Sequence, residues 1–317
     1  MDSVAYVYTG RFLNHSSDGS DMSKTVSLVL GSGGARGLAH IGVIRILEAR
    51  GYDIRSISGC SMGAMVGGIY AAGKLDEFEQ WIRALTRMDV LRLLDMSWGR
   101  DGLVKGDKII NKLIDIVGDQ RIEDLPITFT AVAADVSQEK EVWLNSGSLF
   151  EAIRASISLP LFFTPVPYKN SYLIDGGVLN PVPIAPAFSD TTDLIIAVNL
   201  GGPLDAGPNT AVDNNEKIEA SDSLPSILRT SIDQFLAKLP VFDQQVITQK
   251  WSAYDIANQA FDAMQSSIAR QKLAVYPPDI LIEIARNACG TLEFDRAAHI
   301  IALGKTQCEE ALQRYLP

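Results

Sequence analysis

Cysteine is scarce in this chain of 317 residues: Cys60, Cys289 and Cys308 form an odd, widely spaced set. Such a set offers neither a disulfide framework nor metal-ligand spacing, and it points to a reducing compartment. Histidine is equally sparse, with only His15, His40 and His299. None stands in a partner motif, so each reads as a surface or packing residue. No apolar run reaches the ~18 residues that suggest a membrane span. The first twenty residues also lack the positive-then-apolar order of a secretory signal, so the expected location is the cytoplasm. Positive charge is in deficit: 28 Lys and Arg face 38 Asp and Glu, a net charge of -10. General electrostatic attraction to nucleic acid or anionic lipid is thereby excluded, which leaves room only for a local basic patch. No internal repeat is present.

What remains is the composition of a globular protein. With 47% hydrophobic and 21% charged residues, the chain can bury a core large enough for one big domain or for one domain with an appendage. Residues 1–22 are polar and without periodicity before a second start at Met22, and read as a flexible leader or start-site extension. From there strands and helices alternate. Val26 to Leu30 reads as a buried strand, followed by a glycine loop and a helix over 37–49. Ile54 to Ser58 forms a second strand, parallel to the first through the helical crossover, and a helix opens at Ser61 and runs to about 72. Helices are expected over 75–87, 106–117 and 149–156, with a turn-rich segment at 98–102. Strands are expected at 127–133, 141–144, 172–174, 194–199 and 279–284. Residues 201–223 read as a loop over the surface. Helix dominates from 224 to 273, interrupted at Pro240, and returns from about 294.

Three short motifs carry chemistry. Gly59-Cys60-Ser61-Met62-Gly63 lies between a strand and small helix-forming residues, the context of a nucleophilic serine on a sharp elbow. Its hydroxyl would stand at a helix N-terminus, where an anion is favoured. A serine is almost wholly protonated at neutral pH and needs a base, for which Asp175 in Asp175-Gly176-Gly177 is the candidate. The oxyanion formed on attack needs donors already aimed at it. The backbone amides of Gly33, Gly34 and Ala35, within Gly31-Ser32-Gly33-Gly34-Ala35-Arg36-Gly37, are the candidates, because glycine lets the backbone come close. Arg36 would hold this loop or recognise a phosphate.

In this order and with this spacing, the motifs resemble those of the patatin-like phospholipases, and within them bacterial proteins similar to the esterase domain of neuropathy target esterase. The resemblance also takes in Ala155-Ser156-Ile157-Ser158-Leu159-Pro160. It covers about residues 24–200, and more loosely the tail. It implies a three-layer α/β/α fold with a mainly parallel central sheet, residues 23–317 forming one hydrolase domain that is mainly helical from 223 onward. It implies a Ser61-Asp175 dyad rather than a triad, with Gly33 and Gly34 at the centre of the oxyanion hole. Gly31, Arg36, Gly37, Gly59, Gly63, Gly176 and Gly177 complete the motifs. Neither metal nor organic cofactor is implied; the expected partner is a lipid or acyl ester. Ser32 stands where many relatives have glycine, and Gly177 where some have alanine.

Other readings compete. An α/β-hydrolase triad could use Ser61, Asp175 and His299, but only one clear strand precedes the strand entering Ser61, fewer than that fold places there. A dinucleotide loop at 31–37 lacks the G-x-G-x-x-G spacing and a closing acidic residue, and no P-loop lysine is present. A lipid-binding or regulatory protein without catalysis would keep the fold. Cys60 reads as a small buried residue. The apolar, proline-broken run 159–167 reads as core, or as the lining of an acyl channel or a membrane contact. Leu228, Ile232, Phe235 and Leu239 read as one helix face packed on the domain, the alternatives being a homodimer face or peripheral contact with a membrane.

Overall fold

The computed structural model describes residues 23–93, 104–160, 162–205 and 253–315. The leader, the 98–102 segment, residues 206–223 and the stripe Leu228, Ile232, Phe235 and Leu239 lie outside these. Eight strands form one sheet: β1 (Thr25–Leu30), β2 (Asp53–Cys60), β3 (Thr128–Asp135), β4 (Lys140–Leu144), β5 (Val166–Tyr168), β6 (Ser171–Asp175), β7 (Leu194–Gly202) and β8 (Ile280–Ala285). Their order is β5-β6-β3-β2-β1-β7-β8, with β4 also paired to β3. The five strands β3, β2, β1, β7 and β8 run parallel, while β4, β5 and β6 add antiparallel pairs. Among the described residues the helices are α1 (Ala39–Ala49), α2 (Met62–Ala71), α3 (Leu75–Arg83), α4 (Arg87–Leu93), α5 (Asp107–Val117), α6 (Leu149–Ser156), α7 (Ala253–Val275) and α8 (Ala297–Tyr315).

The pleat divides each central strand between two layers. Val26, Leu28 and Leu30 of β1 join the main core with α1, α2 and α8. Val29, on the other face, packs with Val182, Ile184 and Ala269 of α7. The three layers are therefore helix, sheet, and a second layer built from residues 181–189 and α7. On that second face small polar side chains replace apolar ones. Ser58 Oγ donates to the Pro183 carbonyl at 2.7 Å, and Ser27 Oγ donates to Asp190 at 2.7 Å.

Several elements differ from the sequence reading for identifiable reasons. The helix expected over 37–49 begins as a 3-10 turn over Gly34–Leu38 before α1, because the Ala35 amide is drawn to the Thr291 carbonyl at 2.8 Å. The helix expected over 75–87 ends at Arg83, and a second helix that the sequence reading did not expect starts at Arg87. Thr86 caps α4, its hydroxyl and amide both bonded to Asp89 at 2.5 and 3.1 Å, a reciprocal cap that restarts the helix. In the run 159–167, Val166–Tyr168 forms a short edge strand that tolerates Pro167 because an edge strand can spare an amide.

Candidate active site

Ser61 sits between β2 and α2 with φ 55° and ψ -122°. A non-glycine residue at positive φ is uncommon and holds strain of about 1–3 kcal/mol, maintained only where the surroundings over-determine it. Here the flanking glycines allow the turn. A methyl on Gly59 would come within 2.5 Å of the Gly63 carbonyl carbon and 2.6 Å of the Ala64 nitrogen, so β2 and the first turn of α2 approach each other only because no Cβ intervenes. Gly63 faces the end of β1 in the same way.

Asp175 reaches this elbow through the sheet register. β4 pairs with Ala131 to Asp135 on one edge of β3, so β2 and β6 must share the other edge. β2 ends there with Cys60 opposite Val132, and β6 takes over at the next rung with Asp175 opposite Ala133. Consecutive rungs of one strand thus place the two motifs side by side. Ser61 Oγ donates to Asp175 Oδ2 at 2.6 Å. Asp175 Oδ1 accepts the Gly177 amide at 2.8 Å and, more weakly, the Cys60 thiol at 3.8 Å. Both side chains of the pair are buried. Burial pushes the Asp175 carboxyl up to about 6, against the lowering effect of its bonds from Ser61, Gly177 and Cys60. Burial and the neighbouring Asp175 push the Cys60 thiol up, so it stays protonated and can donate.

The glycine loop lies beside this pair. The Gly31 amide continues β1 by donating to Val198 O at 3.0 Å, and the Ser32 amide donates to Pro181 O at 2.8 Å. Gly34 adopts φ 56°, which glycine accepts without strain. The amides of Gly33 and Gly34 donate to no protein group among the described residues, and both residues face the cavity with Ser61. The Ala35 amide differs from the sequence expectation, being spent on Thr291 O, so the free donors of the loop are the two glycines. Arg36 holds the loop: Nε donates to Gly33 O at 3.0 Å, Nη1 to Arg286 O at 2.6 Å and Nη2 to Asp262 at 3.2 Å. Gly37 packs against Met62, Gly176 against the Val132 backbone, and Gly177 leaves the room that Gln265 fills. His40, fully buried, bonds the Gly31 carbonyl at 2.9 Å, and burial lowers its pKa to about 4, so it is a neutral donor.

The triad alternative does not close. His299 is exposed on α8 and bonds to neither Ser61 nor Asp175, while Ser61 already meets the carboxylate directly. Sequence reasoning missed Asp262 and Gln265 of α7, Thr291, and the lining residues Trp81 and Phe294, none of which sits in a motif. These groups come from distant elements and have no local signature.

Above Ser61 opens a cavity of about 980 Å³ including its mouth. Its lining includes apolar Trp81, Val90, Phe162, Phe163, Leu292 and Phe294, the last five packed together, and polar Ser32, Arg36, Asp262 and Gln265, with Arg36 bonded to Asp262 and Gln265 to Ser32. A cavity with such a lining and a few convergent polar groups suits a ligand that is mostly hydrocarbon. Phe162 and Phe163 belong to the core and also line this cavity, so a core reading of the 159–167 run does not exclude a lining one. Among the described residues no group of three or more His, Cys, Asp or Glu could hold a metal ion, and no helix is long and apolar enough to cross a membrane.

Residues 28–188 match the family model described as patatin-like phospholipase. An uncharacterized NTE family protein of Mycobacterium tuberculosis (strain H37Rv) is 40% identical over 92% of both chains. The lysophospholipase nte1 of Emericella nidulans is 27% identical over 92% of this chain, which spans 18% of that protein. VipD from Legionella pneumophila superposes with a TM-score of 0.44 at 16% identity, over 92% of this chain and 67% of that one.

Proposed function

Because the chain belongs to the patatin-like phospholipase family, we propose that it hydrolyses acyl ester bonds of lipids, with Ser61 as nucleophile and Asp175 as its base. The observation that carries the reading is the 2.6 Å bond from Ser61 Oγ to a buried carboxylate at the foot of an apolar cavity. Ser61 Oγ attacks the ester carbonyl carbon while its proton passes to Asp175 Oδ2. The Gly33 and Gly34 amides receive the oxyanion, a role in which losing one donor typically costs about 3 kcal/mol. Collapse breaks the ester bond, and Asp175 returns the proton to the leaving alcohol. Water then attacks the acyl-serine, gives its proton to Asp175, and the acid departs as the proton returns to Ser61 Oγ. No step requires a metal or an organic cofactor.

The acyl chain lies along Phe162, Phe163 and Phe294, and the head group faces Asp262 and Gln265. Lysophospholipids, phospholipids and simple carboxylic esters all present this combination. The fungal relatives named as lysophospholipases favour the first class. Contact with a micelle or membrane surface is proposed to be peripheral: Met88 of α4 and Met264 of α7 are exposed on two helices that line the cavity.

Asp175 must be a carboxylate to act as base, so its raised pKa predicts the pH profile. For turnover of a single-chain choline lysophospholipid, kcat/KM is expected to rise about tenfold per pH unit below about 6 and to level off above it. A profile flat through this range would remove Asp175 as the base. Wild type that binds the lipid but releases no fatty acid, with binding unchanged in Ser61→Ala, would instead support a non-catalytic lipid-binding role.

A further inference from the structure

The Ala155–Pro160 segment has no part in the chemistry above, yet it touches both members of the dyad. Ser156, the last residue of α6, is completely buried. Its Oγ accepts the Ser61 amide at 2.9 Å and donates to the Val132 carbonyl at 2.6 Å. Two residues on, the Ser158 carbonyl accepts the Asp175 amide at 2.9 Å. Ile157, between them, lines the acyl cavity. The segment is itself anchored from outside. Arg154 Nη1 donates to Ser158 Oγ at 2.5 Å, Nε to Lys105 O at 3.0 Å, and Nη2 to Thr164 O at 3.0 Å, while the guanidinium lies 5.5 Å from the centre of the Phe163 ring.

We propose that residues 156–158 form a clamp holding Ser61 and Asp175 in register, with Ser156 a positioning residue of the dyad. The strained elbow at φ 55° directs the Ser61 amide sideways, away from any strand partner. The Ser156 hydroxyl is the group that receives it, and it is tied in turn to Val132, the residue opposite Cys60 on β3. Elbow, neighbouring strand and α6 are thus linked through one hydroxyl. The Ser158 carbonyl fixes the backbone of Asp175 from the same short stretch. Without the hydroxyl the Ser61 amide loses its partner, one of the bonds that hold the elbow at its φ, and Ser61 Oγ moves off the line to Asp175. Misplacement by about 1 Å in a near-attack geometry can cost about a hundredfold in rate.

This inference rests on the acyl-hydrolase reading. The test compares wild type, Ser156→Ala and a remote core variant, Ile301→Val or Ile301→Ala on α8, chosen to match the apparent Tm of Ser156→Ala. Each is assayed for kcat and KM on a p-nitrophenyl acyl ester across pH. The expected result for Ser156→Ala is a fall in kcat of about a hundredfold, KM within about twofold, and an acid limb displaced toward higher pH, because Asp175 loses the lowering bond from Ser61 as Oγ moves off its line. The matched Ile301 variant is expected to keep wild-type kcat. Retention of half or more of kcat by Ser156→Ala, or an equal loss in the Ile301 variant, would overturn the clamp. An inert wild type would overturn the hydrolase reading on which it rests.

Discussion

Asp175→Asn is expected to be at once nearly inactive and more stable than wild type at neutral pH. The amide keeps the shape of the carboxylate and can still accept the Gly177 amide, but it cannot take the Ser61 proton. Replacing the acidic member of a serine catalytic set by its amide has cost about 10⁴ in kcat elsewhere, and a similar loss is expected here. Stability moves the other way. The folded-state pKa, about 6, lies above the model-peptide value of 3.8. The folded chain therefore binds this proton more tightly than the unfolded chain, and stability falls as pH rises from about 4 through about 6. A difference of about two pKa units is on the order of 3 kcal/mol at pH 7, which Asn avoids. Part is offset because the new NH₂ meets Ser61 Oγ less favourably than the carboxylate did, so the net gain should be about 1–3 kcal/mol. Thermal unfolding at pH 7 and pH 4.5 checks this: the gain should be present at the higher pH and shrink at the lower. An equal gain at both, or none at pH 7, would show that Asp175 is not the strained buried charge described here.

The second large effect is at the elbow. Ser61→Gly and Ser61→Ala should both abolish turnover, since neither has a hydroxyl, but their stabilities should separate. Both lose the same bond to Asp175. Alanine keeps a Cβ at φ 55° and ψ -122°, whereas glycine adopts this region freely. Ser61→Gly should therefore be more stable than Ser61→Ala by about 1–2 kcal/mol, the relieved strain less the entropy glycine loses on folding. Chemical denaturation of the two inactive proteins reads the difference directly. If Ser61→Ala were the more stable, the elbow would be unstrained. Both positions of the proposed dyad are thus expected to lower the stability of the fold, a pattern found where a site is held away from its local preference.

Local signals made much of this legible. The helix over Leu149–Ser156 was readable to the residue, because Ser148 caps it by accepting the Glu151 amide and apolar spacing runs its length. The three motifs were readable because backbone approach demands glycine at fixed positions. The limits were equally physical. Ala35 looks like a third oxyanion donor by sequence, yet its amide is claimed by Thr291 from the far end of the chain. Arg36 suggested either a loop anchor or a phosphate site; its bonds to Gly33, Arg286 and Asp262 make it an anchor, and two of these three partners lie more than 200 residues away. The adjacency of Ser61 and Asp175 comes from the handover of β3 from β2 to β6, a register that no local pattern announces. The start of α4 has a local signature in Thr86-Arg87-Met88-Asp89, a capping pattern that the expected helix over 75–87 ran into without being stopped by it.

The most direct test of the Ser61-Asp175 assignment is the release of p-nitrophenol from a medium-chain acyl ester by wild type, Ser61→Ala and His299→Ala, each verified as folded. Ser61→Ala is expected at background and His299→Ala at the wild-type rate, because the exposed His299 has no bond to either buried residue of the pair. Turnover by Ser61→Ala close to that of wild type, or loss of turnover in folded His299→Ala, would contradict a two-residue site.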